Sequence, residues 1–124
     1  MKCYSIREVA LQTGLNPHTL RYYERMGLMS TVARSANGHR RYSQADVDWL
    51  EFLKRLRATG MPITEMKQFA RLRQAGKSSL AKRQHLLKEH HARVQSHIND
   101  LVENQQAIEA KLKRLESQKE DTDE

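Results

Sequence analysis

Apolar residues recur at helical spacing along most of this chain, and the points where the spacing breaks divide it into a series of helices with one hairpin among them. Ser5-Ile6-Arg7-Glu8 has the form of a capping box, so a short helix starts there, with Ile6, Val9 and Ala10 as its apolar stripe. Thr13-Gly14-Leu15-Asn16 reads as a tight corner, because Gly14 tolerates a positive φ. Asn16 then caps, and Pro17 opens, a second helix reaching Met26. Leu20 and Tyr23 lie on the face turned toward the first helix, while His18, Thr19, Arg21, Tyr22 and Arg25 lie outward. Two short helices across a glycine turn make a helix-turn-helix, and Gly27 ends the second.

Between Leu28 and Tyr42 the helical period disappears, and Asn37-Gly38 supplies the dipeptide favoured in hairpin turns, which predicts a small two-stranded wing. Ser43 caps a third helix running to Thr59, where Val47, Trp49, Leu50, Phe52, Leu53 and Leu56 form the largest apolar cluster of the chain. Gly60-Met61-Pro62 breaks the chain. Ile63, Met66, Phe69 and Ala70 then mark a fourth helix ending near Ala75, and Gly76-Lys77-Ser78-Ser79 reads as a hinge.

From residue 80 onward there is no Gly or Pro, and Leu80, Leu87, Val94, Leu101, Ile108 and Leu115 fall seven residues apart, which is a coiled-coil register. The companion seam, Gln84, His91, Ile98, Gln105 and Leu112, is apolar only at Ile98 and Leu112. Polar seam positions cost stability but fix register and partner number. Residues 80–100 carry Lys82, Arg83, Lys88 and Arg93 against Glu89 and Asp100, whereas residues 101–124 hold four Lys/Arg against seven acids. Antiparallel pairing sets the basic half of one helix beside the acidic half of another, so an antiparallel homodimer is expected. The fold class is therefore mainly α: a winged helix-turn-helix head with a helix pair over residues 1–75, a hinge at 76–79, a dimerisation coiled coil at 80–117 and an acidic tail at 118–124.

Charge sharpens this picture. The formal net charge is +7, and residues 1–57 hold ten Lys/Arg against five Asp/Glu, so the head carries most of it. Such a head suits nucleic acid or an anionic membrane, because cations that displace condensed counterions gain affinity for a polyanion. With one cysteine, Cys3, the chain has neither an intrachain disulfide nor a cysteine-rich zinc site. No apolar run approaches the roughly 18 residues of a membrane span and the N-terminus lacks a signal-peptide core, so no membrane association and a cytoplasmic location are expected. There is no Gly-rich phosphate loop, no metal-ligand cluster and no nucleophile with an evident base, which argues against an enzyme and against any cofactor.

The helix-turn-helix, Leu20-Arg21-Tyr22-Tyr23-Glu24, Gly38-His39-Arg40-Arg41-Tyr42, the helix pair and the long helix, in that order, resemble the MerR family of bacterial transcription regulators from Ser5 to Leu115. The resemblance implies a homodimer that binds double-stranded promoter DNA and distorts it between its elements for RNA polymerase. Such distortion costs on the order of 1 to 10 kcal/mol, which two separated phosphate grips can supply. On this reading the DNA-binding residues are His18, Thr19, Arg21, Tyr22, Tyr23 and Arg25 of the second helix, His39, Arg40, Arg41 and Tyr42 of the wing, and Arg57. Helical spacing leaves Tyr23 open between a core and a DNA role, and Tyr42 open between packing under the wing and contact. His39 stands where the family usually has an aromatic residue. The dimerisation residues are Leu80, Leu87, Val94, Ile98, Leu101, Ile108, Leu112 and Leu115.

Metal-sensing members place cysteines around the start of the long helix and after it, and neither region has one here. Drug-binding members carry a large C-terminal domain, for which a chain ending after the coil leaves no room. The aldehyde- and electrophile-responsive branch is closest, through Trp49-Leu50-Glu51-Phe52-Leu53-Lys54, yet Arg55 stands near where its reactive cysteine would fall. Cys3 remains either a substitute sensor or incidental. His90 and His97 are two helical turns apart, about 10 Å, too far to share one ion, so no metal site is assigned to them, to His85 or to His91. The alternative to a DNA-binding regulator is a non-enzymatic coiled-coil adaptor with a basic head, which would have no use for the ordered Arg-rich motifs.

Overall fold

A computed structural model of the protein describes residues 3–29 and 34–122. Its elements are strand β1 (Cys3–Tyr4), helices α1 (Ile6–Thr13) and α2 (Pro17–Arg25), strand β2 (Tyr42–Ser43), helices α3 (Gln44–Ala58) and α4 (Ile63–Gln74), a 3-10 turn (Gly76–Ser79) and the long helix α5 (Leu80–Thr122). The architecture is mainly α with a hairpin wing, as the periodicity predicts. The Ser30 to Ala33 part of the predicted wing lies outside the described residues, as do Asp123 and Glu124 of the tail. The chain divides into two compact units, Met1–Leu87 and Lys88–Glu124.

In the first unit local chemistry sets several helix boundaries. The Ser5 side chain accepts from Glu8 N–H and the Glu8 carboxylate accepts from Ser5 N–H, closing the predicted capping box. Gly14 ends α1 at φ 75°, a conformation that side chains with a Cβ adopt only under strain. Ser43 and Asp46 form a second capping box at the start of α3. A strand that periodicity does not reveal also appears. β1 pairs antiparallel with β2, Cys3 opposite Ser43 and Tyr4 opposite Tyr42, so Cys3 and Tyr4 hold the base of the wing.

The core gathers Val9 of α1, Leu20 and Tyr23 of α2, Leu28 after it, Tyr42 of β2, then Val47, Trp49, Leu50, Leu53 and Leu56 of α3, and Met61, Met66, Phe69 and Ala70. Burying a side chain of this size contributes about 1.5 to 3 kcal/mol. Trp49 joins the layers: its indole N–H donates to the Leu28 carbonyl at 2.7 Å, its ring stacks on Phe69 at 5.8 Å, and Arg73 lies 4.4 Å from its centroid. Lys54 of α3 donates to the Thr13 carbonyl at 2.6 Å, which satisfies an otherwise open carbonyl at the end of α1 and ties the helix-turn-helix to α3. At the 3-10 turn the buried Ser79 hydroxyl lies against the Leu72 and Gly76 carbonyls, and Arg83 donates to Ser79 Oγ at 3.0 Å and to Gly76 O at 3.1 Å. Leu86 and Leu87 pack partly against the core of this unit.

The second unit consists of the remainder of α5, which continues through the acidic segment to Thr122. Ile98, Leu101, Val102, Ile108, Leu112 and Leu115 are all exposed along it.

Candidate nucleic-acid interface

Helix α2 is presented by its N-terminus. The Asn16 side chain accepts from Thr19 N–H at 2.8 Å, Pro17 occupies the first turn, and the Thr13 hydroxyl, which donates to the Val9 carbonyl, accepts from Leu15 N–H across the corner. With Leu20 and Tyr23 buried beneath, His18, Arg21, Tyr22 and Arg25 stand exposed and Thr19 is half-buried. This is the disposition of a recognition helix whose outer face meets a groove.

The wing closes on itself through its turn. Arg34 bridges Arg40 in antiparallel register, Ser35 N–H donates to the His39 carbonyl at 2.8 Å, and Gly38 N–H donates to the Ser35 carbonyl at 2.9 Å. Gly38 has φ 84°, and the Asn37 side chain accepts from His39 N–H at 3.2 Å, so the Asn-Gly signal corresponds to a real turn. Arg34 Nη1 donates to the Gly38 carbonyl at 2.9 Å. His39 and Arg41 are exposed and Arg40 is half-buried.

Between the wing and the helix-turn-helix lies a cleft of about 280 Å³ lined by Ser5, Ile6, Arg21, Arg34, Gly38, His39 and Arg40. It brings together three expected residues, Arg21, His39 and Arg40, and adds Arg34, which sequence reasoning missed. The available signal was symmetry: Arg34 mirrors Arg40 across the Asn37-Gly38 turn. Three guanidinium groups in one cleft suit an anion such as a backbone phosphate.

Two expected contacts are placed differently from their neighbours. Tyr23 and Tyr42 are 5% and 0% exposed, so both lie in the core rather than on the basic surface. Burial raises both phenol pKa values. At Tyr23 the nearby Arg57 charge opposes the rise and Tyr22 adds to it. At Tyr42 Arg40 opposes it, Glu24 and Asp46 add to it, and Arg21 opposes it. Arg57 is itself exposed, in the last turn of α3, near enough to Tyr23 for its charge to be felt there.

On α5, Leu80, Ile98, Leu101, Ile108, Leu112 and Leu115 are exposed, while Leu87 and Val94 are half-buried. Val102, 44% exposed, stands one position off the seven-residue register. It lines a shallow groove with Ile98, Leu101, Asn104, Gln105 and Ile108. Among the described residues no group of His, Cys, Asp or Glu is arranged to hold a metal ion. No helix among them is long and apolar enough to cross a membrane.

A basic recognition helix, a basic wing and a long helix with an apolar seam define a winged helix-turn-helix DNA-binding protein. The family model described as MerR HTH family regulatory protein matches residues 4–73, and the model described as MerR, DNA binding matches residues 47–115. An HTH-type transcriptional regulator of Haemophilus influenzae is 31% identical over 109 residues, 88% of this chain and 81% of that protein. The HTH-type transcriptional regulator AdhR of Bacillus subtilis is 37% identical over 90 residues, 73% of this chain, which thus spans 64% of AdhR. Among solved structures, HiNmlR, a MerR family regulator lacking the sensor domain, bound to promoter DNA, superposes with a TM-score of 0.83 at 31% identity, covering 90% of this chain and 88% of that one. The chain belongs to the MerR family: it is a sequence-specific DNA-binding transcription regulator, a non-enzymatic class, and the adaptor alternative falls away.

Proposed function

We propose that the protein acts as an antiparallel homodimer on promoter DNA, gripping it at two separated heads and distorting the intervening duplex so that RNA polymerase can use it. The cleft that gathers Arg21, Arg34, His39 and Arg40 between α2 and the wing carries this reading. Arg21 and Tyr22, with His18, Thr19 and Arg25, face the groove; Arg34, Arg40, Arg41 and His39 hold phosphate from the wing; Arg57 adds a further cation. Tyr23 and Tyr42 act from beneath, holding α2 and the wing in place. Resemblance to HiNmlR, whose structure was solved on promoter DNA, supports promoter DNA as the partner. Ile98, Leu101, Val102, Ile108, Leu112 and Leu115 form the dimer seam, and the site of action is the cytoplasm.

Within the family the protein stands nearest the electrophile-responsive branch, on the Trp49 to Lys54 stretch. Arg55, exposed on α3, occupies the region where that branch carries its cysteine, so a thiol there does not transmit its signal. Cys3, half-buried in β1, is the one thiol of the chain.

The test is selection of duplexes from a random-sequence pool, followed by gel shift on the selected sequence. Native protein should bind it far more tightly than unrelated duplex, and Arg21→Ala should cost about 1 to 3 kcal/mol of that preference. Equal, weak binding to every duplex would overturn the proposal.

A further inference from the structure

We propose that Glu24 is a positioning residue for DNA recognition: its carboxylate ties the wing to the recognition helix by holding the Arg40 side chain, and so sets the spacing between the two elements that grip DNA. This rests on the DNA-binding reading above.

Arg40 Nε donates to Glu24 Oε2 at 2.7 Å, and the two side chains are 22% and 18% exposed. A charge-assisted bond in such shelter is screened less than one on open surface. Its placement gives it leverage. Glu24 lies in the last turn of α2, between the buried Tyr23 and the exposed Arg25, and Arg40 lies on the returning arm of the wing opposite Arg34. Among the described residues, the hydrogen bonds of Arg34, Ser35, Gly38 and His39 close the hairpin on itself, and the Arg40 to Glu24 bond joins it to α2. Using Nε for the carboxylate leaves the terminal guanidinium nitrogens of Arg40 to face a phosphate, a division of labour that a lysine cannot reproduce.

Charge alone predicts the opposite of a tie. Glu24 is an acid beside Arg21, Arg25 and Arg40, so neutralising it should strengthen attraction to phosphate if its role were only electrostatic. If it positions the wing, neutralisation weakens specific binding although the protein has become more basic.

The experiment measures binding of full-length protein to the selected duplex and to an unrelated one by fluorescence anisotropy. Glu24→Gln should bind the selected duplex on the order of tenfold more weakly, the scale of losing one hydrogen bond between charged groups, while unrelated duplex is held as well or better. Arg40→Lys keeps the charge but lacks the Nε donor, and should lose a similar factor. The double variant should be no weaker than the weaker single, because both changes break one interaction. Undiminished affinity of Glu24→Gln for the selected duplex would overturn the tie, as would losses that multiply in the double variant. Circular dichroism checks folding; if Glu24→Gln does not fold, full affinity in Arg40→Lys overturns it instead. A native protein that selects no sequence would fail the DNA-binding reading itself, a result distinct from native selection with unaffected variants.

Discussion

The head and the distal part of α5 use similar apolar residues to opposite ends. In the first unit Leu20, Leu28, Leu50, Leu53 and Met66 are fully buried in one core drawn from several elements. In the second unit Leu101, Ile108 and Leu112 are 54%, 68% and 54% exposed on one helix. A helix gains most of its stability from packing an apolar face, and an apolar seam of this length on an otherwise charged helix marks an association surface. On the proposed homodimer, the same leucine is a folding residue in one unit and an assembly residue in the other. A substitution in each should damage different properties.

The largest effect belongs to the core. Leu50→Ala should cost about 2 to 5 kcal/mol in urea unfolding, a large fraction of the stability of so small a head, and take DNA binding with it. A loss below about 1 kcal/mol would mean that α3 is not the centre of the core. Next comes the seam. Ile108→Glu combined with Leu112→Glu should give a monomer by sedimentation while the fluorescence of Trp49, the one tryptophan, stays native, since Trp49 reports on the head. Operator affinity should drop on the order of a hundredfold, because two linked heads bind with an effective concentration that separate heads lack. Disturbed Trp49 emission in that variant would break the contrast between folding residues and assembly residues.

What was legible in the sequence was what short-range chemistry decides. The capping box at Ser5, the Asn16-Pro17 opening of α2, the Asn37-Gly38 turn and the seven-residue repeat each depend on residues within a few positions of one another. What escaped depends on distance along the chain. A two-residue strand at Cys3–Tyr4 has no period to detect, and it exists because Tyr42–Ser43 arrives beside it. Glu24 and Arg40 stand in motifs that read as separate, and only the return of the wing onto α2 makes them partners. In the sequence Tyr23 and Tyr42 stay open between the two roles, because an amphipathic tyrosine satisfies a core pattern and a DNA-facing pattern equally well. Burial separates them from the exposed Tyr22.

That separation supplies the smallest expected effect, at Tyr42. Its hydroxyl is buried without a hydrogen-bond partner among the described residues, so Tyr42→Phe should leave stability at neutral pH unchanged or raise it by about 1 kcal/mol. The pH dependence has a definite sign. Burial, aided by Glu24 and Asp46 and opposed by Arg40 and Arg21, raises the folded pKa above the ordinary phenol value of 10.0. Between the unfolded and folded values the native state therefore holds a proton that the unfolded chain has released, and stability falls as pH rises through that interval. Below about pH 10 the contribution is complete, and above the folded value it has reached its minimum. Tyr42→Phe should flatten part of the alkaline fall in urea midpoints measured from pH 9 to 11.5, leaving the share due to Tyr23, whose pKa burial also raises. The same variant should bind the selected duplex as native protein does. A tenfold loss of affinity without loss of stability would place the Tyr42 hydroxyl against the DNA rather than beneath the wing, and would move the boundary between core and interface by one side chain.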